Sequence, residues 1–360
     1  MEIKLDPLSS WPIEQKKPII IAGPCSAESE DQMIQTAKAL KEIGNVIFRA
    51  GIWKPRTRPN SFEGIGPVGL EWMNAVKKET GLKTTTEVAN AKHVEEVLKN
   101  DVDIIWIGAR TTVNPFAIQE IADALVGVDI PVMVKNPMNP DVDLWLGAIE
   151  RFSKIGITKL AAIHRGFFSY GSIKYRNIPQ WQVAVELKRR IKGIPMFCDP
   201  SHIAGKRELI REVSQKAIDL NFDGLMIETH INPEKALSDK AQQIKPHELN
   251  SIIEKLVVRQ KSTDNEEFTS SLQGLRTQID DLDSELLEVL KRRMNVAELI
   301  GLNKKENGVT ILQTDRWSKI LENRIKIGAK YELSEEFMTK LLKAIHQESI
   351  NRQTKVMNDK

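Results

Sequence analysis

The chain has 360 residues, 41% hydrophobic and 28% charged, enough apolar material for more than one buried core. A formal net charge of +3 is too small to point to nucleic acid or a membrane surface, so any basic character that matters is local. No apolar run approaches a membrane span, the opening Met1-Glu2-Ile3-Lys4-Leu5-Asp6 lacks a signal-peptide pattern, and two cysteines, Cys25 and Cys198, make no disulfide framework. The expected setting is cytoplasmic, where a functional Cys25 stays a thiol.

Eight short apolar or β-branched runs follow at even intervals: 18–22, 46–49, 82–86, 103–107, 131–135, 159–163, 195–198 and 224–228. Amphipathic segments lie between them, such as 31–43, with Met33, Ile34, Ala37, Leu40 and Ile43 on one face, and 181–191. Strands alternating with helices imply a parallel sheet with right-handed crossovers, and eight units in about 240 residues match a (β/α)8 TIM barrel. A doubly wound open sheet is the alternative. No glycine fingerprint for a dinucleotide follows any run, which favours the barrel.

In such a barrel the residues after each strand line one mouth. In chain order they are Cys25, the Arg49–Arg58 stretch, Glu87, Arg110, Lys135, His164-Arg165, Asp199 to His202, and Glu228 to His230. Pro55 and Pro59 stiffen the second loop, which carries Lys54, Arg56 and Arg58. Two subsets separate. Arg49, Lys54, Arg56, Arg110, Lys135 and Arg165 are cationic and would repel one another unless a polyanionic ligand neutralises them. Cys25, His202, Glu228 and Asp239 form a thiol, imidazole and carboxylate set suited to a divalent transition metal. Strands one, seven and eight adjoin when a barrel closes, which brings the first three together. Taken alone, Cys25 reads as a small buried hydrophobe, the commoner fate of a lone cysteine. Cys198 reads as core, and His164 and His230 as groups behind the ligands.

At these residues the chain resembles a known family. Gly23-Pro24-Cys25-Ser26, Arg49 to Lys54-Pro55-Arg56-Thr57, Ile107-Gly108-Ala109-Arg110, Asp199-Pro200-Ser201-His202 and Glu228 with Ala236-Leu237-Ser238-Asp239 are similar to the type I-beta 3-deoxy-D-arabino-heptulosonate 7-phosphate (DAHP) synthases, over about residues 15 to 260. The sister enzymes making 3-deoxy-octulosonate 8-phosphate share the barrel and many of the cations but differ at Lys54-Pro55-Arg56-Thr57. The resemblance implies condensation of phosphoenolpyruvate with erythrose 4-phosphate. It implies a divalent metal ion, Mn2+ or a similar one, at Cys25, His202, Glu228 and Asp239. Arg110 and Arg165 would hold the phosphate of phosphoenolpyruvate; Lys135, Arg49 and Lys54 would hold its carboxylate and donate a proton, with Lys54 the catalytic member; Arg56 and Thr57 would hold the aldose phosphate. Arg58 stands where a small polar residue is more usual. With about seventeen residues ahead of the first strand, no regulatory domain is expected before the barrel.

Residues 246–260 read as the helix closing the barrel, with Leu249, Ile252, Ile253, Leu256 and Val257 inward. The expected domains are 1–260, a polar linker at 261–269, and an all-α unit at 270–360. There Leu272, Leu275, Ile279, Leu282, Leu286, Val289, Arg293, Val296 and Ile300 form a heptad stripe with one charge in it. A second stripe runs from Arg276 through Leu287, Leu290, Met294, Ala297 and Gly301 to Lys304. Arg276 and Lys304 lie roughly 42 Å apart along one helix at 1.5 Å per residue, so a small ligand gripped by both needs two chains. Further helices are expected at 314–327 and 334–353.

This segment resembles the all-helical chorismate mutases over about residues 270 to 353. The matches are Leu275-Arg276, Ile279-Asp280, Leu282-Asp283, Arg293, Ile300-Gly301, Lys304, Asp315-Arg316, Leu333-Ser334, Ser349 and Gln353. The resemblance implies a three-helix mutase domain, rearrangement of chorismate to prephenate, and a homodimer through the helices. Arg276 of one chain and Arg293 of the other would clamp the two carboxylates. Lys304 and Gln353 would bind the ether oxygen, with Arg316 and Ser349 assisting. Trp317 stands where many members carry a glutamate, which removes a partner for the substrate hydroxyl, and Gln313 where an acid is sometimes found. The leading expectation is a bifunctional shikimate-pathway enzyme with feedback by prephenate or chorismate. The alternatives are a synthase carrying a non-catalytic helical regulatory or dimerisation module, and a barrel acting on a different aldose phosphate.

Overall fold

The computed structural model describes residues 3–14, 16–54, 62–171 and 174–358, the side chain of Asp315 excepted. Each apolar run forms a strand: β1 (Ile19–Gly23), β2 (Val46–Arg49), β3 (Thr84–Val88), β4 (Ile104–Ile107), β5 (Val132–Lys135), β6 (Leu160–His164), β7 (Met196–Cys198) and β8 (Gly224–Glu228). They pair in parallel and in sequence, and β1 closes the barrel on β8 with Gly23 opposite Glu228. The helices of this unit are α1 (Glu30–Lys41), α2 (Val68–Thr80), α3 (Ala91–Lys99), α4 (Ala109–Thr112), α5 (Pro115–Ala124), α6 (Val142–Lys154), α7 (Trp181–Arg190), α8 (Pro200–Ala204), α9 (Ile210–Asp219) and α10 (Pro246–Glu254). No helix among the described residues is long and apolar enough to cross a membrane.

The two-residue period of a strand sorts its side chains into two cores. Ile20, Ala22, Val46, Phe48, Ile105 and Val132 face the helices. Ile21, Ile47, Trp106, Met133, Ile163, Phe197 and Met226 fill the barrel interior, with Trp11 joining them. The same period fixes what comes next. Two residues beyond Ile47, Met133, Ile163, Phe197 and Met226 stand Arg49, Lys135, Arg165, Asp199 and Glu228, all buried. The ionic layer is therefore the next inward step of the strands after an apolar layer. Gly23 completes it by being small: with φ at +151°, a Cβ there would lie 2.0 Å from the Arg49 carbonyl oxygen.

Local chemistry accounts for two of the edges that differ from the sequence-based expectation. β3 begins two residues late, at Thr84, because the Asp103 carboxylate accepts the Thr84 N–H at 2.9 Å and its hydroxyl at 3.1 Å. Lys83 and Lys77 lie 2.9 and 3.2 Å from the same carboxylate. Burial opposes the charge on Asp103, but these donors outweigh it and hold its pKa below the usual carboxylate value. Its stabilisation is therefore complete at neutral pH and fades as pH falls through that lowered pKa. Asp103→Asn is expected to cost about 1.5–3 kcal/mol of barrel stability at pH 7, a hydrogen bond to a charged group being worth that much. The gap from the parent should shrink in denaturant melts below about pH 4.

The second shift is at α10, which ends at Glu254 rather than continuing to 260. The Gln215 side chain accepts from the Val257 N–H at 2.9 Å and donates to its carbonyl at 3.0 Å, holding the chain off the helix. Leu256 still packs on the core, but Val257 is exposed, correcting the expectation of an inward side chain.

The chain divides into two compact units after Lys261. The second contains α11 (Glu266–Glu306), α12 (Thr314–Lys330) and α13 (Glu335–Asn358). α11 starts inside the expected linker because the Asn265 side chain caps it, accepting from the Phe268 N–H at 2.9 Å. Within one chain the packed face of α11 is the second stripe: Met294, Ala297 and Gly301 are its buried residues. Gly301 allows the close crossing on α13, since a Cβ would meet Gln353 Cα at 3.0 Å. The heptad stripe Leu275, Ile279, Leu282, Leu286, Val289, Val296 and Ile300 is left exposed.

Candidate active sites

At the barrel mouth, β1 delivers Cys25 and β8 delivers Glu228. Asp239, on the following loop, adopts φ +43°, a left-handed conformation that aspartate tolerates better than most residues. The donor atoms of these three lie within 4.8 Å of one another. Cys25 Sγ is 3.5 Å from Asp239 Oδ2. His202 stands at the edge of the cluster, with Nε2 3.9 Å from Glu228 Oε1 and Nδ1 2.8 Å from Asp199 Oδ2. Burial keeps His202 below its ordinary pKa despite Asp199 and Glu228, so its imidazole is neutral at pH 7.

Asp199 has three tasks. It caps α8 by accepting the His202 N–H at 3.0 Å, it faces the His202 ring, and it accepts from Lys135 Nζ at 2.7 Å. A carboxylate behind a histidine fixes which ring nitrogen turns to a metal. The donor set of one soft thiol, one neutral imidazole and two carboxylates fits a divalent transition ion. Burial pushes the Cys25 thiol up to about 12, with Glu228 adding to the rise and Lys54 opposing it. Lys54 Nζ lies 2.9 Å from that sulfur and 2.8 Å from the Cys25 carbonyl oxygen. Burial works against its charge, but Cys25 and Glu228 outweigh it and raise its pKa. Lys54 is thus a cation at the cluster.

The cationic layer surrounds this cluster. Arg49, 1% exposed, lies 3.3 Å from Glu228 and donates to the Cys25 carbonyl at 3.2 Å. Arg49 and Lys135 also sit 4.9 and 5.6 Å from the centre of the Trp106 ring, whose indole N–H donates to Glu87 at 2.9 Å. Arg165 donates to Asn177 Oδ1 at 2.7 Å. Burial, with the charges of Arg176 and Arg110 and against the pull of Asp199, brings Arg165 down to about 10. Like charges converging on a partly buried site repel one another, and an anionic ligand would relieve that repulsion. Arg110, on α4, is exposed. Arg56 and Thr57, together with Arg58, lie outside the described residues.

Three supporting residues were not singled out from sequence. Arg176 donates to Asp239 Oδ1 at 3.0 Å and to Gln242 at 2.6 Å. Gln242 donates to Glu228 Oε2 at 2.7 Å, and Gln243 accepts the Cys25 N–H at 2.9 Å. The adjacent glutamines just after Asp239 were the available signal. His164 is enclosed by Trp145, Phe167, Trp181 and Phe222, and His230 Nε2 lies 3.6 Å from Glu28.

In the helical unit a cavity of about 270 Å³ gathers Arg293, Lys304, Arg316, Ser349 and Gln353. Arg293 donates to the Ser349 hydroxyl, and Lys304 to the Ile311 carbonyl. Gln353 Oε1 is buried without a hydrogen-bond partner. Arg276 is exposed on the N-terminal part of α11 and does not line this cavity.

Residues 13–264 match the model of the DAHP synthetase I family. The chain belongs to that family. Residues 275–354 match the chorismate mutase type II family. A phospho-2-dehydro-3-deoxyheptonate aldolase of Thermotoga maritima is 34% identical over 225 residues, 62% of this chain and 64% of that protein, so the chain spans less than two thirds of this relative. A 2-dehydro-3-deoxyphosphooctonate aldolase of Variovorax paradoxus is 28% identical over 270 residues, 69% of this chain and 92% of that protein. The crystal structure of a DAHP synthase from Thermotoga maritima superposes with a TM-score of 0.62 at 30% identity, covering 70% of this chain and 72% of that one. Family membership gives the ionic layer its context: the matched span contains every barrel-mouth residue described above and ends three residues beyond Lys261, the last residue of the first unit.

Proposed function

We propose that the chain is a bifunctional shikimate-pathway enzyme. Its barrel unit condenses phosphoenolpyruvate with erythrose 4-phosphate, and its helical unit rearranges chorismate to prephenate. The observation that carries the first activity is the juxtaposition of the Cys25, His202, Glu228 and Asp239 donor set with the buried cations Arg49, Lys135 and Arg165 and the half-buried Lys54. These four donors would hold a divalent metal ion, which supplies Lewis acidity toward the aldehyde oxygen.

The chain's own residues do the rest. Arg165 and Arg110 bind the phosphate of phosphoenolpyruvate, while Lys135 and Arg49 bind its carboxylate. Asp199 holds Lys135 and Trp106 lies under both cations, so the anion meets pre-placed donors. Arg56 and Thr57 take the aldose phosphate. C3 of phosphoenolpyruvate bonds to the aldehyde carbon, and the aldehyde oxygen receives a proton from Lys54. Water adds at C2; one of its protons restores Lys54 and the other leaves with phosphate as the C2–O bond breaks and the C2 keto group forms.

For the mutase, Arg293 and the partner chain's copy of the α11 N-terminal arginine clamp the carboxylates, and Lys304 and Gln353 meet the ether oxygen. The exposed apolar stripe on α11 supports the homodimer this requires, because a row of leucines and isoleucines half open to water calls for a second helix.

A pentose phosphate would yield the eight-carbon acid named for the Variovorax relative, and a tetrose phosphate the seven-carbon acid. Loss of phosphoenolpyruvate should therefore be at least about a hundredfold faster, as kcat/KM, with erythrose 4-phosphate than with arabinose 5-phosphate. The reverse preference would replace the first activity with the second relative's. The same assay in saturating prephenate tests feedback from the helical unit; unchanged kinetics would remove that role.

A further inference from the structure

The mutase cavity is two-sided. Its cations are Arg293, Lys304 and Arg316, and no carboxylate lines it among the described residues. Its hydrogen-bonding groups run along Arg293, Ser349, Gln353 and Lys304. Beside Arg316 the chemistry changes. Trp317 of α12 and His346 of α13 stack with ring centres 3.9 Å apart and planes within 6°. Both rings line the cavity. His346 stands three and seven residues before Ser349 and Gln353, on the same face of α13.

His346 Nε2 is buried without a hydrogen-bond partner. Burial, then the charge of Arg293, holds the ring below its ordinary pKa and hence neutral at pH 7. What the pair presents is flat aromatic surface in a fixed position, since each ring blocks rotation of the other.

We propose that the Trp317–His346 stack is the wall against which the ligand's unsaturated ring packs, and that the cavity selects its substrate by two carboxylates and a ring face, not by a ring hydroxyl. Trp317 is the contacting residue and His346 a positioning residue that holds the indole in place. The inference rests on the mutase reading above and deepens it to specificity.

The test uses the full chain and two substrates, chorismate and its analogue lacking the ring hydroxyl, with each enzymatic rate divided by the substrate's own uncatalysed rate. The two values of kcat/KM should agree within about threefold, whereas a site built to bind the hydroxyl rejects the analogue by ~10⁴-fold. His346→Ala should raise KM about tenfold for both substrates alike with kcat little changed, the pattern of lost uniform binding. His346→Phe, which keeps the stack and removes the nitrogens, should recover most of that loss. Thermal melts confirm that each variant folds. Rejection of the analogue by a hundredfold or more, or a His346→Phe variant as impaired as the alanine, overturns the inference while leaving the mutase reading standing. Absence of chorismate turnover in the parent chain overturns both.

Discussion

Cys25→Ala is expected to reduce synthase turnover by about a thousandfold or more, ~4 kcal/mol of barrier at 1.36 kcal/mol per decade. Chorismate turnover should stay at the parent rate. The expectation comes from what the sulfur touches. Its neighbours are an ammonium at 2.9 Å and a carboxylate oxygen at 3.5 Å, not the hydrocarbon that surrounds an inert core cysteine. Cys198, buried in β7 among apolar side chains, is the internal contrast, and Cys198→Ala should leave synthase turnover near the parent value. Alanine is smaller than cysteine, and the backbone N–H of residue 25 keeps its bond to Gln243, so the loop should persist in the variant. Bound metal, measured by elemental analysis after dialysis, should fall with the activity. A Cys25→Ala enzyme retaining parent turnover would remove the thiol from the mechanism.

Arg293→Ala is expected to lower chorismate turnover by about 10³-fold, the upper range for deleting one preorganised donor to transition-state charge. In the structure this guanidinium already donates to the Ser349 hydroxyl, and Ser349 donates on to the Ile345 carbonyl, so it is held in place before any ligand arrives. Arg276→Ala should be impaired similarly despite its distance from the cavity. A mixture of the Arg276→Ala and Arg293→Ala chains should regain activity, because a mixed dimer carries one site with both arginines. Failure to recover on mixing, with dimer exchange verified, would place the Arg276 contribution within its own chain.

The barrel was legible because its signal is periodic. Alternation of apolar runs with amphipathic helices needs no long-range information, and the two-residue strand period also places Arg49, Lys135, Arg165, Asp199 and Glu228 one step above the apolar layer. Asp239 is not on a strand, and only its motif context marked it. Arg176, Gln242 and Gln243 were not singled out, and the glutamine pair after Asp239 was too weak a signal, because their role depends on a loop folding back over Glu228 and Cys25, and arginine and glutamine are common on surfaces. In the helical unit the heptad stripe was legible but not its occupant. Within one chain it is the neighbouring stripe, through Met294, Ala297 and Gly301, that packs, while the more apolar one remains open. Hydrophobic periodicity reports that a face is to be buried; it does not say against which chain. The Trp317–His346 stack joins residues 29 positions apart on different helices, a pairing no local pattern encodes.

The central claim is two independent active sites in one chain, and crossed assays of two variants test it most directly. Purified parent, Cys25→Ala and Arg293→Ala chains would each be followed for loss of phosphoenolpyruvate with erythrose 4-phosphate and for loss of chorismate. The predicted result is a double dissociation: Cys25→Ala loses only the first reaction and Arg293→Ala only the second. A parent chain that leaves chorismate untouched, or an Arg293→Ala chain that consumes it at the parent rate, would contradict the claim.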